Sequence, residues 1–188
     1  MKAATIILSL FPFLALAAPE PPGQIQLTAD YPNDPEIDGL RINAAGRAFW
    51  VGGKTASYCP IQVGDACPPG DETVIGGLQS MYVMVPGGQQ IYVEPSGALG
   101  FTQAHSAYIP PGSYVGGMTF KYLDNHNDCG IYSFEGWGAK GLMACYNRDR
   151  GLHQVYANIA NATVPDCKPI TALGCRWNGS GYGAWQYT

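Results

Sequence analysis

Short runs of alternating apolar and polar residues, cut by glycine and proline, recur along the whole chain. Ser80 to Val85 places Met81, Val83 and Val85 on one face, with Tyr82 and Met84 on the other. After Pro86-Gly87-Gly88, Gln89 to Glu94 alternates again with Ile91 and Val93 together, so the two runs read as a hairpin. His153 to Ile159 puts Val155, Ala157 and Ile159 on one face, the period-2 pattern of a half-buried strand. Shorter strands are expected at Ala48–Gly52, Glu72–Ile75, Met118–Leu123, Ile131–Phe134 and Gly141–Tyr146. Ala98 to Ser113 reads as an ordered connection over one end of the β core. No window sustains an apolar 3.6-residue period with caps. The 25 glycines and 15 prolines are spread throughout, which predicts many short strands in one all-β domain, a barrel or a sandwich.

The N-terminal stretch departs from this pattern. Lys2, the apolar run Ile6 to Leu16 and the small residues of Ala15-Leu16-Ala17 make residues 1–17 a cleavable signal peptide. The run is too short for a membrane span, which needs about 20 apolar residues. Residues 18–40 are expected to hold a proline-rich segment and a first strand, and 41–188 a single β domain. The chain is therefore expected to be secreted and extracellular, with no membrane insertion.

Charge and cysteines narrow the chemistry. The formal charge of −4 becomes −5 when Lys2 leaves, and the basic residues form no stripe, so nucleic acid is excluded as a partner. Six cysteines (Cys59, Cys67, Cys129, Cys145, Cys167 and Cys175) in a secreted chain read as three disulfides. Spacing alone leaves the connectivity open: Cys129–Cys145 with Cys167–Cys175 is as acceptable as other pairings. No C-x-x-C or C-x-x-H pair suggests zinc. The sequons Asn161-Ala162-Thr163 and Asn178-Gly179-Ser180 are expected glycosylation sites on surface loops.

Candidate catalytic chemistry is sparse. No G-x-S-x-G elbow occurs, and neither Gly179-Ser180-Gly181 nor His105-Ser106 replaces it. Glu72, Glu94 and Glu135 supply the residue type for a glycosidase pair, but solvated strand positions explain them as well. Asp124 to Asp128 begins like a calcium loop, yet Cys129 stands where a sharp turn needs glycine. His105, His126 and His153 lack metal-ligand spacing, so no cofactor or metal is expected. The aromatic residues suggest binding instead. Trp50 is expected in the core, whereas Trp177, Tyr182, Trp185 and Tyr187 sit in a glycine-rich tail and are the candidate ligand-binding residues.

Several segments together resemble a family of small secreted proteins of filamentous fungi, labelled IgE-binding protein and including a hypersensitive-response-inducing elicitor. The residues are Phe49-Trp50-Val51-Gly52, Thr55 to Pro60, Cys67-Pro68-Pro69-Gly70, Val85 to Gln90, Val93 to Ala107 and Ala144-Cys145. The resemblance covers Ile42 to Cys167; Tyr31 to Gly39 and Arg176 to Thr188 depart from it. It implies a compact, β-barrel-like secreted protein without enzymatic machinery, and it transfers no binding site. It also implies the pairs Cys59–Cys67 and Cys145–Cys167, with Cys129–Cys175 as an additional bridge. The function expected from these readings is that of a non-enzymatic, monomeric elicitor- or effector-like factor. Its partner would be a host surface protein or a cell-wall glycan. A carbohydrate-binding or structural wall protein is the alternative, and a secreted hydrolase the remote one.

Overall fold

A computed structural model describes residues 23–123 and 126–188. The signal peptide expected at 1–17 lies outside them, as do Asp124 and Asn125 of the acidic turn. The strands β1 (Gln24–Asp30), β2 (Ile42–Ala45) and β3 (Ala48–Val51) open the domain. The two-residue strands β4 (Ser57–Tyr58), β5 (Ile75–Gly76) and β6 (Ser80–Met81) follow. Next come β7 (Ile91–Val93), β8 (Leu99–Phe101), β9 (Tyr114–Val115), β10 (Met118–Leu123) and β11 (His126–Phe134). The last are β12 (Leu142–Asn147), β13 (Leu152–Ala157), β14 (Cys167–Arg176) and β15 (Gln186–Tyr187). Helical structure among the described residues is confined to 3-10 turns at Ile61–Ala66 and Gly136–Gly138. The protein is all-β.

The main sheet runs β6-β5-β1-β14-β12-β13-β3-β8-β7-β9, with β2 paired to β3 and β10 to β11. Its organising element is β14. Residues 167–170 pair with β12, while residues 171–176 lie between β1 and β11. Pro169, which has no N–H to give, falls in the half with the single neighbour. Both ends of the strand are closed by disulfides between directly opposed residues. Cys145–Cys167 has a Cα separation of 3.9 Å and Cys129–Cys175 one of 4.0 Å. The third bridge, Cys59–Cys67, closes the loop around the first 3-10 turn. These are the pairs that the resemblance implies.

The sheet curves around one core containing Ile25, Phe49, Phe101, Phe134, Val155 and Tyr187. Its ends approach each other through the single bridge Ser80–Gln90, flanked by Met81 N–H to Gln89 O and Ile91 N–H to Gln79 O, both 2.9 Å. No continuous ladder joins them, so the sheet is not a closed barrel.

Face assignments follow the sequence closely. Met81, Val83 and Val85 are buried while Met84 is exposed, and Val155, Ala157 and Ile159 are all buried. The hairpin of 80–85 with 89–94 is different. Only its open end pairs, because Val83 bridges Ala184 in parallel and the N–H groups of Met84 and Val85 bond Ala184 O and Trp185 O. The C-terminal tail has taken the place of the hairpin partner. The complete hairpin is β7 with β8, so part of the expected connection 98–113 is a buried strand. The strand expected at 72–75 shrinks to Ile75–Gly76. The strand β1 lies within 18–40 and is an interior member of the same sheet, paired with β14 and β5.

Candidate functional site

The structure divides the four tail aromatics into two pairs. Tyr187 is sealed in the core at 1% exposure. Its hydroxyl donates to Glu72 O at 2.7 Å and accepts the Val74 N–H at 3.0 Å, and burial pushes its phenol pKa up. Gln89, also buried, grips the same residue: Nε2 donates to Tyr187 O at 2.9 Å and Oε1 accepts the Tyr187 N–H at 2.8 Å. Trp185 is half-buried against the core, and its indole N–H has no protein partner among the described residues. These two residues fasten the tail. Tyr187, sealed as it is, offers no ring face to a ligand.

Trp177 and Tyr182 are brought together around a third ring, Tyr82. The Tyr82 and Trp177 centroids are 6.0 Å apart at 68°, and those of Tyr82 and Tyr182 are 4.9 Å apart at 32°. Tyr182 is 42% exposed. The Trp177 ring packs onto the backbone of Gly179, where a Cβ would stand 2.1 Å from Cζ2, so any other residue there would displace the ring. Its indole N–H donates to Glu72 Oε2 at 2.9 Å. Hydrogen bonds from Gln26, then from Trp177, with the Arg41 charge nearby, hold the Glu72 carboxyl below its ordinary pKa of 4.5.

Glu72 joins this aromatic shelf to a polar cleft of about 330 Å³. Arg41, Lys54, Asp71 and Glu72 give the cleft both signs of charge. Its base is a side-chain network: Thr55 Oγ1 donates to Asn43 Oδ1 at 3.2 Å and lies 2.9 Å from Thr73 Oγ1. Buried Thr73 Oγ1 in turn accepts the Ala44 N–H at 2.8 Å. Apolar ring faces beside fixed donors and acceptors suit a ligand with apolar C–H faces and equatorial hydroxyls.

The other sequence candidates scatter. Glu72 is in this cleft, Glu94 lines a separate groove, and Glu135 accepts from Thr119 Oγ1 at 3.3 Å on the surface. Among the described residues no group of three or more His, Cys, Asp or Glu is placed to hold a metal ion. Of the acidic turn, Asp128 accepts from Arg176 Nε at 2.8 Å. His153 is buried, and burial, then the Lys168 charge, holds its imidazole pKa down. Asn161 and Asn178 are both exposed, and Asn178 directly follows Trp177. Trp50 is buried, its indole N–H donating to Ala45 O at 2.8 Å. Sequence reading missed Tyr82 as a shelf member and Glu72 as its tether. The exposed face of the 80–85 run is the only signal that points to Tyr82.

The comparisons with known proteins agree with secretion. The family model of the PhiA-like secreted proteins matches residues 26–188. A protein of Arthroderma benhamiae, named "Uncharacterized secreted protein", is 53% identical over 197 residues, covering all of both chains. No solved structure matches the chain. Neither description speaks of IgE or of elicitation, and neither is that of an enzyme. The protein is secreted. No helix among the described residues is long and apolar enough to cross a membrane.

Proposed function

The chain belongs to the PhiA-like secreted protein family, and from that premise we propose that it is a non-enzymatic, monomeric recognition protein of the cell-wall or host interface whose aromatic shelf takes up wall glycan. The observation that carries this reading is the grouping of Trp177, Tyr82 and Tyr182 beside a charged cleft, with Glu72 shared between them. Sugar rings present apolar faces to such a shelf and hydroxyls to the cleft. The disulfides and the buried Tyr187 clasp hold the rings in place before binding, which lowers the entropic cost of association.

Retention of the secreted protein on insoluble chitin, β-glucan and plant cell-wall fractions tests the reading. Selective retention that falls at least about tenfold in Trp177→Ala and Tyr182→Ala supports it, a loss of about 1.4 kcal/mol. Retention on none of these materials overturns it.

One feature favours a second reading, a proteinaceous host target. The loop closed by Cys59–Cys67 presents Ile61 at 88% exposure beside exposed Tyr58. Exposed apolar residues on a rigid loop suit a protein partner. Capture of a host surface protein that is lost in Ile61→Asp, with no polysaccharide retention, would replace the glycan reading with this one.

A further inference from the structure

A second groove, remote in composition from the aromatic shelf, lies across β3, β7 and the turn after β12. It encloses about 400 Å³ and contains Arg47, Trp50, Glu94, Tyr108 and Arg150. We propose that this groove is a binding site for an acidic sugar, a uronate-bearing oligosaccharide whose carboxylate is taken by Arg150 and Arg47.

Arg150 is stacked on an aromatic ring. Its guanidinium carbon lies 4.6 Å from the centroid of the Trp50 ring. The group also closes onto the main chain at Gly46, where a Cβ would come 2.7 Å from Nη2. A guanidinium stacked by its face keeps its N–H edge for a carboxylate, in the planar two-point geometry that lysine cannot make. Beneath it, buried Trp50 is itself held through its bond to Ala45 O.

Arg47 stands at the tip of the two-residue turn between β2 and β3, and its φ of 59° is a conformation that side chains other than glycine, asparagine and aspartate rarely adopt. A turn of this type favours Asn-Gly, so a long cation here runs against local preference. Such departures cluster where a side chain serves a ligand. Arg148 and Arg176 are paired with Asp166 and Asp128, but among the described residues neither Arg47 nor Arg150 has a carboxylate within ion-pair distance. An acidic protein thus places two unpaired guanidinium groups in one groove.

The remaining lining fits a sugar better than a bare anion. Tyr108, at 64% exposure, offers a ring face. Glu94, Asn147 and Gln154 are acceptors and donors for hydroxyls. The lining holds two guanidinium groups to one carboxyl side chain, a positive balance suited to one acidic sugar. This site stands independently of the shelf, since it shares no lining residue with it or with the cleft beside it.

Calorimetric titration with trigalacturonate, cellotriose and succinate separates the terms. The expected result is binding of the acidic trimer, at least about tenfold weaker binding of the neutral trimer, and none of succinate, which has carboxylates but no ring. Arg150→Ala, Arg47→Ala and Arg150→Lys each weaken the acidic trimer at least about tenfold. All of these titrations are made in the Trp177→Ala background, so that glycan taken up by the shelf is not counted at this site and the two readings fail separately. Thermal melts confirm that each variant is folded. Equal affinity for both trimers, no heat with trigalacturonate at millimolar concentration, or full affinity in the folded Arg47→Ala/Arg150→Ala double variant overturns the proposal.

Discussion

Replacing Gln89 with leucine removes the clamp that holds the C-terminal tail, and its cost follows from the bonds lost. The amide is buried at 1% exposure and makes three hydrogen bonds: Nε2 to Thr102 O at 2.8 Å, Nε2 to Tyr187 O at 2.9 Å, and Oε1 from the Tyr187 N–H at 2.8 Å. Leucine is close in volume, so little is lost by packing. The substitution instead leaves one main-chain N–H and two carbonyls without this partner. Each buried polar group left unpaired costs about 1–3 kcal/mol, so the lower bound for three is about 3 kcal/mol. That is a large share of the 5–15 kcal/mol typical of a domain. Equilibrium unfolding in urea, with equal slopes for both proteins, measures the difference. Hydrogen exchange should also quicken at Ala184 to Tyr187, whose bonds the clamp supports. A loss below about 1 kcal/mol with unchanged exchange would refute the reasoning, because the three groups would then have found other partners.

The three bridges close loops with sequence separations of 8, 46 and 22. Chain entropy gives about 2.5, 4 and 3.4 kcal/mol for them, so Cys129→Ser/Cys175→Ser should lower stability more than Cys59→Ser/Cys67→Ser, as thermal melts would show. The folded pKa of His153 lies below its ordinary 6.5, so as pH falls below 6.5 the unfolded chain takes up a proton that the folded one refuses. Stability should drop through that window and then level, and His153→Phe should flatten this part of the melting profile; a profile unchanged by the substitution would exclude the imidazole as its cause. Exposed Asn161 and Asn178 should each carry a glycan in the secreted protein, so Asn161→Gln and Asn178→Gln should each remove one glycan mass from the intact-mass spectrum.

Strand faces were legible in the sequence wherever large apolar residues alternate, as at Met81, Val83 and Val85, because burial of one face sets the period directly. β14 was not legible. Its inward positions are Ile170, Ala172 and Gly174, and the last two are small because strands crowd on both sides: a Cβ at Gly174 would meet Phe120 at 2.9 Å. Small residues and Pro169 carry no hydrophobic alternation to read. Gln89 looked like a polar strand end and is instead a fully buried hub, since Tyr187, which shares two of its three hydrogen bonds, lies 98 positions away. The same distance explains the site. Trp177 and Tyr182 were visible as tail aromatics, but Tyr82 and Glu72 join them only through tertiary pairing of the tail. The groove of Arg47 and Arg150 left still less trace, because arginines on two separate turns meet only once β3 and β13 are paired.

The most direct measurement of the central claim is an NMR titration of the secreted protein with soluble chitin and β-glucan oligomers, following the indole N–H signals. If the shelf takes up glycan, one oligomer class shifts the Trp177 signal selectively, the Trp50 signal stays in place, and Tyr182→Ala weakens the response at least about tenfold. An unmoved Trp177 signal at millimolar oligomer, or a response unaffected by Tyr182→Ala, would contradict the account.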